Sequence, residues 1–450
     1  MEDTIVALVT PPGISGIAMV RLSGKEAFPI ADSCFSSNKK ISEAKSHSIL
    51  VGNIVYKNTI IDNLAALIFK NPHSYTGEDT VEFTCHGGYI ASEELIRVLK
   101  ELGARLAEPG EFTKRSFLNG KMDLTQVEAV ADIIHSISVP ACQISARQLA
   151  GGLSEKINEF RKRLIDILSL LELELDFADE ELEFIDKANI LHLISESAEF
   201  CNNLASSFRS AQILRNGFYV AISGYPNSGK STLFNTLLKK KRSIVSDIPG
   251  TTRDYIEDTL YIGQIPIKLI DTAGLRSSED CIEIEGIKMA EHILEQADLN
   301  LIINDISIDE NHSAKLYSEV KSKFPSSQAI LVQNKIDKLD FSNFLKKEAV
   351  SYISAKQGLG VKDLLSLIEK EACSSVSQSN EFLINERQRD LLERASKHLA
   401  LAMESAKSDF QNEIVSIDIR AAIKPLGELS GENWSEEVLN NIFSKFCIGK

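Results

Sequence analysis

The chain is short of several things, and each shortage removes a class of function. Its seven cysteines, at positions 34, 85, 142, 201, 281, 373 and 447 of 450, are scattered with no C-x-x-C pair. That argues against a disulfide framework or a zinc site and for reduced thiols in a cytoplasmic protein. Positive charge is not in excess: 49 Lys and Arg stand against 64 Asp and Glu, a formal net charge of -15. A broadly acidic chain does not draw nucleic acid through its overall field, so any RNA contact comes from a local basic patch or a partner. Long apolar runs are missing too. The longest uncharged stretch near the start, Ile5–Val20, is broken by Pro11-Pro12-Gly13 and Gly16. It reads as strand, turn, strand, and no membrane span is expected. Nothing ahead of it reads as a signal or transit peptide. There is no internal repeat and no low-complexity tract. What remains, 43% hydrophobic and 25% charged residues, is ordinary for a globular chain of two to four domains.

The pattern changes along the chain. Residues 1–118 predict an α/β domain, with strands at Ile5–Val9, Gly16–Leu22, Leu64–Phe69 and Thr80–Cys85 and a helix over Ser92–Leu102. Residues 119–215 are helical almost throughout, with Leu153, Ile157, Phe160, Leu164, Ile167, Leu168 and Leu171 on one face. Glu172–Asp186 holds eight acidic residues and no basic one, and reads as a solvated helix end or loop. Residues 216–373 alternate strands, at 218–223, 256–262, 265–270, 299–304, 329–333 and 349–353, with helices: a doubly wound domain. A polar linker at 374–380 opens the stretch 374–450, helical at 385–405, 414–423 and 435–446. The economical reading is one helical domain with the doubly wound domain inserted into it.

The chemistry concentrates in that inserted domain. Gly224-Tyr225-Pro226-Asn227-Ser228-Gly229-Lys230-Ser231 follows an apolar strand and precedes Thr232 and a helix. Strand, glycine loop and helix form a phosphate cradle: backbone N–H groups converge on one point and the helix dipole adds positive potential. Lys230 suits β- and γ-phosphates and the Ser231 hydroxyl suits Mg²⁺. Asp271-Thr272-Ala273-Gly274 follows the strand at 265–270. Asp271 can hold Mg²⁺ through water, and the Gly274 N–H can reach the γ-phosphate. Asn334-Lys335-Ile336-Asp337 follows the strand at 329–333, and the Asp337 carboxylate suits the N1–H and 2-amino donors of guanine. Ser354, Ala355 and Lys356 follow the last strand as a base-contacting loop. Gly250, Thr251 and Thr252 lie where a switch segment supplies a Mg²⁺ ligand, which Thr252 is expected to be. The phosphate loop and the four motifs that follow it along the chain predict a GTP-binding domain.

One more shortage follows. Where Ras-like GTPases place a water-orienting Gln after the Asp-Thr-Ala-Gly motif, this chain has Leu275. Several carboxylates follow it up to Glu285, most of them readable as solvated loop charges.

These residues, with Asp247-Ile248-Pro249-Gly250-Thr251-Thr252-Arg253-Asp254 and Asp271 through Arg276, resemble the MnmE (TrmE) family of tRNA modification GTPases, with Ser246 where the family often has Thr. The resemblance runs end to end. It takes in Asp3–Ala7, Thr10–Gly13, Ser74–Asp79, His86-Gly87-Gly88, Pro109–Phe112, Phe117–Lys121 and the terminal Cys447-Ile448-Gly449-Lys450. It implies a Ras-like domain inserted in a helical domain, behind an N-terminal folate-binding domain that makes a homodimer. It implies work with an FAD-containing partner, MnmG (GidA), as a heterotetramer, installing an aminomethyl or carboxymethylaminomethyl group at C5 of the wobble uridine of certain tRNAs. The implied one-carbon donor is 5-formyl- or 5,10-methylene-tetrahydrofolate, contacted by Arg21, Glu82, Lys121 and Lys450. The resemblance also implies Glu283 as the water-activating group with Arg276 behind it, and a potassium site built from Asn227, Ser246, Ile248 and Thr251. Cys447 is either chemical or only lines the folate site. A ribosome-assembly GTPase of the Era or Der kind, with unrelated flanking domains, is the alternative, and the first 120 residues, which show no basic or aromatic RNA-binding signature, speak against it.

Overall fold

The computed structural model describes residues 3–176, 187–241, 257–271, 291–307, 310–325, 327–338, 350–376, 381–408 and 412–450. The chain divides into two compact units, one of residues 1–134, 146–199 and 394–450, the other of residues 135–145 and 200–393.

The first unit is built on a seven-stranded sheet. Its strands are β1 (Ile5–Leu8), β2 (Ile17–Ser23), β3 (Phe35–Ser36), β4 (Ser48–Tyr56), β5 (Thr59–Phe69), β6 (Thr80–His86) and β7 (Arg105–Leu106), in the order β3-β4-β5-β6-β2-β1-β7. All pairs are antiparallel except β1 with β7. Val20, Leu22, Ile54, Ala66, Ile68, Val81 and Phe83 pack from one face against Leu95, Val98 and Leu99 of the helix Tyr89–Glu101. The same unit carries the helix Gly152–Asp176, whose Leu153, Ile157, Leu164, Ile167 and Leu171 are buried at the predicted three- and four-residue steps. It packs along the helix Asn412–Ser430, which runs on past Pro425 and so extends beyond the predicted end at 423. Leu124, Val127 and Val130 of the helix Leu124–His135 pack on Leu439, Phe443 and Phe446. The last four residues follow that cluster, and Gly449 among them lies against the end of β1 at Leu8.

The second unit holds a six-stranded sheet of β8 (Phe218–Gly224), β9 (Glu257–Ile262), β10 (Ile265–Asp271), β11 (Leu299–Asp305), β12 (Gln328–Asn334) and β13 (Val350–Tyr352), ordered β13-β12-β11-β8-β10-β9. Only β9 runs antiparallel to its neighbour. These are the expected strands to within two residues, and all seven residues of β11 are buried. Leu233, Phe234 and Leu237 of the helix Lys230–Lys241 and Leu364, Leu365 and Ile368 of the helix Val361–Ser375 complete the core. Among the described residues no helix is long and apolar enough to cross a membrane.

Candidate functional site

In a doubly wound sheet, ligands sit beyond the carboxyl ends of the strands. There, β8 gives way to the glycine loop and the helix Lys230–Lys241. The loop turns through positive φ at Asn227 (61°) and Gly229 (96°). A Cβ at Gly229 would lie 2.3 Å from Asn334 Nδ2, so only glycine fits under that side chain. The buried Lys230 folds its ammonium back over the loop, donating to the carbonyls of Gly224 (3.0 Å) and Tyr225 (2.8 Å). The Ser231 hydroxyl donates to Asp271 Oδ2 at 2.9 Å. Strand register makes that contact possible: β10 runs parallel to β8, so Asp271 ends its strand level with Ile222. Thr232 is exposed in the first turn, and its carbonyl accepts from the Thr236 hydroxyl.

The Asn334–Asp337 motif ties this loop to the end of β13. Asn334 Nδ2 donates to the Ser228 carbonyl (2.9 Å), and its Oδ1 accepts from the Ala355 N–H (2.9 Å). The Thr236 hydroxyl also donates to the Ala355 carbonyl (2.9 Å), so the phosphate-loop helix and the Ser354–Lys356 turn are joined directly. Asp337 is exposed and takes a 2.5 Å hydrogen bond from the Ser354 hydroxyl, which chiefly holds its carboxyl below the usual range. Lys356 is exposed beside this turn. The Lys335 ammonium donates to the Asn227 carbonyl at 2.6 Å and meets Asp305 Oδ2 at 2.7 Å. Burial works to raise the Asp305 carboxyl, but hydrogen bonds from Lys335 and Ser307 outweigh it and hold it at about 2. Asp305 is absent from the motif reading. The signal for it was a charged residue closing a buried apolar strand at the sheet's carboxyl edge.

The structure therefore brings together Asn227, Ser228, Gly229, Lys230, Ser231, Asp271, Asn334, Lys335, Asp337, Ser354 and Ala355. The remaining expected residues of this site, Ser246, Asp247, Ile248, Pro249, Gly250, Thr251, Thr252, Thr272, Ala273, Gly274, Arg276 and Glu283, lie outside the described residues.

The first unit has its own cluster. Arg21 on β2 and Glu82 on β6 face each other across the strand pair, and Arg21 Nε meets Glu82 Oε1 at 2.7 Å. The Arg21 guanidinium lies 4.9 Å from the ring centre of Tyr75 and 5.3 Å from that of Phe112, held between two aromatic faces. It is 8% exposed, and its Nη1 has no hydrogen-bond partner among the described residues. A buried guanidinium N–H without an acceptor is costly. Its chemistry fits the anionic or carbonyl oxygen of a ligand.

The chain terminus closes this cluster. The Phe112 N–H donates to the Lys450 carbonyl (3.0 Å) and the Lys450 N–H to the Cys447 carbonyl (3.3 Å). Gly449, at φ 100°, lies so close to β1 that a Cβ would meet the Leu8 carbonyl oxygen at 2.3 Å. Burial, then the Arg21 charge, lowers the Lys450 ammonium against the opposing pull of Glu82. Lys121 reaches the segment carrying Tyr75 instead, donating to the Pro72 carbonyl at 3.1 Å. Cys447 is exposed, with a free thiol.

Two family models match. "GTP-binding protein TrmE N-terminus" covers residues 4–121 and "MnmE helical domain" covers residues 124–447. "tRNA modification GTPase MnmE" of Cytophaga hutchinsonii is 41% identical over 453 residues, covering all of this chain and 98% of that protein. The protein of the same name from Carboxydothermus hydrogenoformans is 39% identical over 463 residues, with both chains covered in full. Among solved structures, Era in complex with MgGDPNP and nucleotides 1506–1542 of 16S ribosomal RNA aligns over 34% of this chain and 56% of that chain, at 32% identity and a TM-score of 0.26, too low an overlay to bear on the fold. The flanking regions are thus not unrelated additions to a ribosome-assembly switch. Matched from end to end, the chain belongs to the MnmE (TrmE) family of tRNA modification GTPases.

Proposed function

We propose that this GTPase is potassium-activated and drives aminomethylation or carboxymethylaminomethylation at C5 of the wobble uridine of certain tRNAs. It works in the cytoplasm as a homodimer, with an FAD-containing partner (MnmG, GidA) and a tetrahydrofolate one-carbon donor. Domains at 1–118, 119–215 with 374–450, and 216–373 divide the labour between folate and dimerisation, helical support, and GTP.

The observation that carries the GTP reading is the cross-linking of four motifs at one sheet edge: Ser231 to Asp271, and Asn334 to both Ser228 and Ala355. The loop N–H groups and Lys230 hold the β- and γ-phosphates. Ser231, Thr252 and, through water, Asp271 hold Mg²⁺, which supplies charge neutralisation there. Asp337 reads the base: its carboxylate accepts from guanine N1–H and the 2-amino group, donors that adenine does not offer as a pair, and such a site can discriminate by ~10⁴. Asn227 contributes a hard carboxamide oxygen to a potassium site completed by Ser246, Ile248 and Thr251; when bound, the cation supplies positive charge between the β- and γ-phosphates. Among the described residues the Asn227 side chain makes no hydrogen bond that would compete for that oxygen. Glu283 orients the attacking water, with Arg276 as second candidate.

The buried, unpartnered Nη1 of Arg21 supports a ligand on the first unit. Arg21, Lys121 and Lys450 suit the carboxylates and carbonyls of a folate, and Glu82 suits the pterin N–H edge. On the outer face of β4 and β5, Ile49, Val51 and Ile60 are 64%, 66% and 63% exposed, which supports burial against a second copy.

Base reading has a direct experiment. Asp337→Asn offers one donor and one acceptor, matching the 2-oxo group of xanthine. Binding of the variant should move from GTP toward xanthosine triphosphate. Undiminished GTP affinity would show that another group reads the base.

A further inference from the structure

Asp305 closes β11 level with Asn334 on β12. One carboxylate oxygen is fixed by Ser307, accepting from its N–H (3.1 Å) and its hydroxyl (2.6 Å). The other faces the Lys335 ammonium at 2.7 Å, with the Lys338 ammonium at 3.8 Å. Lys335 passes that restraint on, donating to the main-chain carbonyl of Asn227 at 2.6 Å. Both ends of this link are unusual: Asn227 and Lys335 sit at φ 61° and 68°, a region that non-glycine residues rarely adopt and that neighbours must over-determine. The only described contact on the Asn227 carbonyl is the ammonium that Asp305 holds.

We propose that Asp305 is a positioning residue that sets the alkali-cation requirement of GTP hydrolysis by fixing, through Lys335, the left-handed backbone of Asn227. The inference rests on the potassium reading given above. The direction of the Asn227 carboxamide follows from its backbone angles. If the ammonium is no longer held over its carbonyl, the loop spends part of its time in an ordinary conformation that aims the carboxamide elsewhere. A cation that binds only the competent form then binds with an apparent constant weakened by the competent fraction. Saturating cation restores that form, so the plateau rate is kept. A general loss of structure would instead lower the plateau.

The test follows the full chain in two ways: K⁺ affinity of the chain loaded with Mg²⁺ and a non-hydrolysable GTP analogue, read by calorimetry, and GTP hydrolysis at saturating GTP and Mg²⁺, titrated with K⁺ at constant ionic strength. Asp305→Asn preserves shape and the Ser307 contacts but removes the charge opposite Lys335. Half-saturating K⁺ should rise about five- to tenfold with the plateau rate within about twofold of wild type. Ser307→Ala, which frees the same carboxylate from one hydroxyl, should shift it in the same direction by less, and keeps the inference open to test if the first variant folds poorly. Equal rates in Na⁺ and K⁺ for the wild type overturn the potassium reading and this inference with it. A K⁺-dependent wild type beside variants with unchanged half-saturation, or with a lowered plateau and no shift, overturns this inference alone.

Discussion

Arg21 shows what a single position can and cannot reveal. As a charge in a sequence it is one of many, and only the β2–β6 register sets it against Glu82, and only the fold places Tyr75 and Phe112 on its two faces. Asp305 gave no more than a strand-end charge for the same reason: its partner Lys335 lies 30 residues on, joined to it by strand pairing. Lys230, Ser231, Asp271 and Asn334 were legible because each stands at a fixed offset from a strand end, so spacing alone implies their meeting. Glu283 lies outside the described residues and rests on the family resemblance of the segment after Leu275. If it orients the attacking water, Glu283→Ala lowers the single-turnover rate by about 10²-fold or more, with nucleotide affinity kept. A variant that loses affinity while bound GTP turns over at the normal rate assigns the role elsewhere, with Arg276 next to be tested.

Among elements, those with one dominant signal were read correctly and those with mixed signals were not. The strands β8, β11 and β12 each hold a central apolar run, Val220–Ile222, Leu301–Ile303 and Ala329–Val332, whereas β4 carries Ser48, Gly52 and Asn53, and the first half of β5 carries Asp62 and Asn63. Neither gives a clean alternation, although Ile54, Leu64, Ala66 and Ile68 do face the core. The helix Asn412–Ser430 was cut short because Pro425 normally ends a helix; here Val415, Ile419, Ala422, Leu426 and Leu429 keep one face buried on both sides of it. The terminal segment is the least legible element of all. The last four residues carry no strand or helix signal and only the resemblance gave them a role, yet Gly449 and Lys450 are anchored to β1 and to Phe112. That anchoring predicts a clean separation of functions. Gly449→Val cannot keep both the φ of 100° and the approach to the Leu8 carbonyl. It should weaken binding of 5-formyltetrahydrofolate, read by calorimetry, by at least about tenfold, or ~1.4 kcal/mol. GTP affinity should stay unchanged. Full folate affinity in this variant would remove the terminal segment from the site.

At the scale of the whole chain, the two units present two different chemistries: one a phosphate cradle with a base-reading edge, the other a buried guanidinium beside an anchored terminus. In the proposed function the two are joined by GTP turnover, which would gate the chemistry of the first unit. No arginine finger is identifiable from spacing, so the charge that develops between the phosphates needs another cation, and in the proposed function Asn227 helps hold one. The most direct measurement is therefore the GTP hydrolysis rate of the full chain with Mg²⁺, compared in K⁺ and in Na⁺ at one ionic strength, for wild type and Asn227→Ala. The account predicts hydrolysis that rises steeply in K⁺ for the wild type and a variant whose rate no longer distinguishes the two salts. Equal wild-type rates in both, or a variant that keeps the full rise, would contradict it.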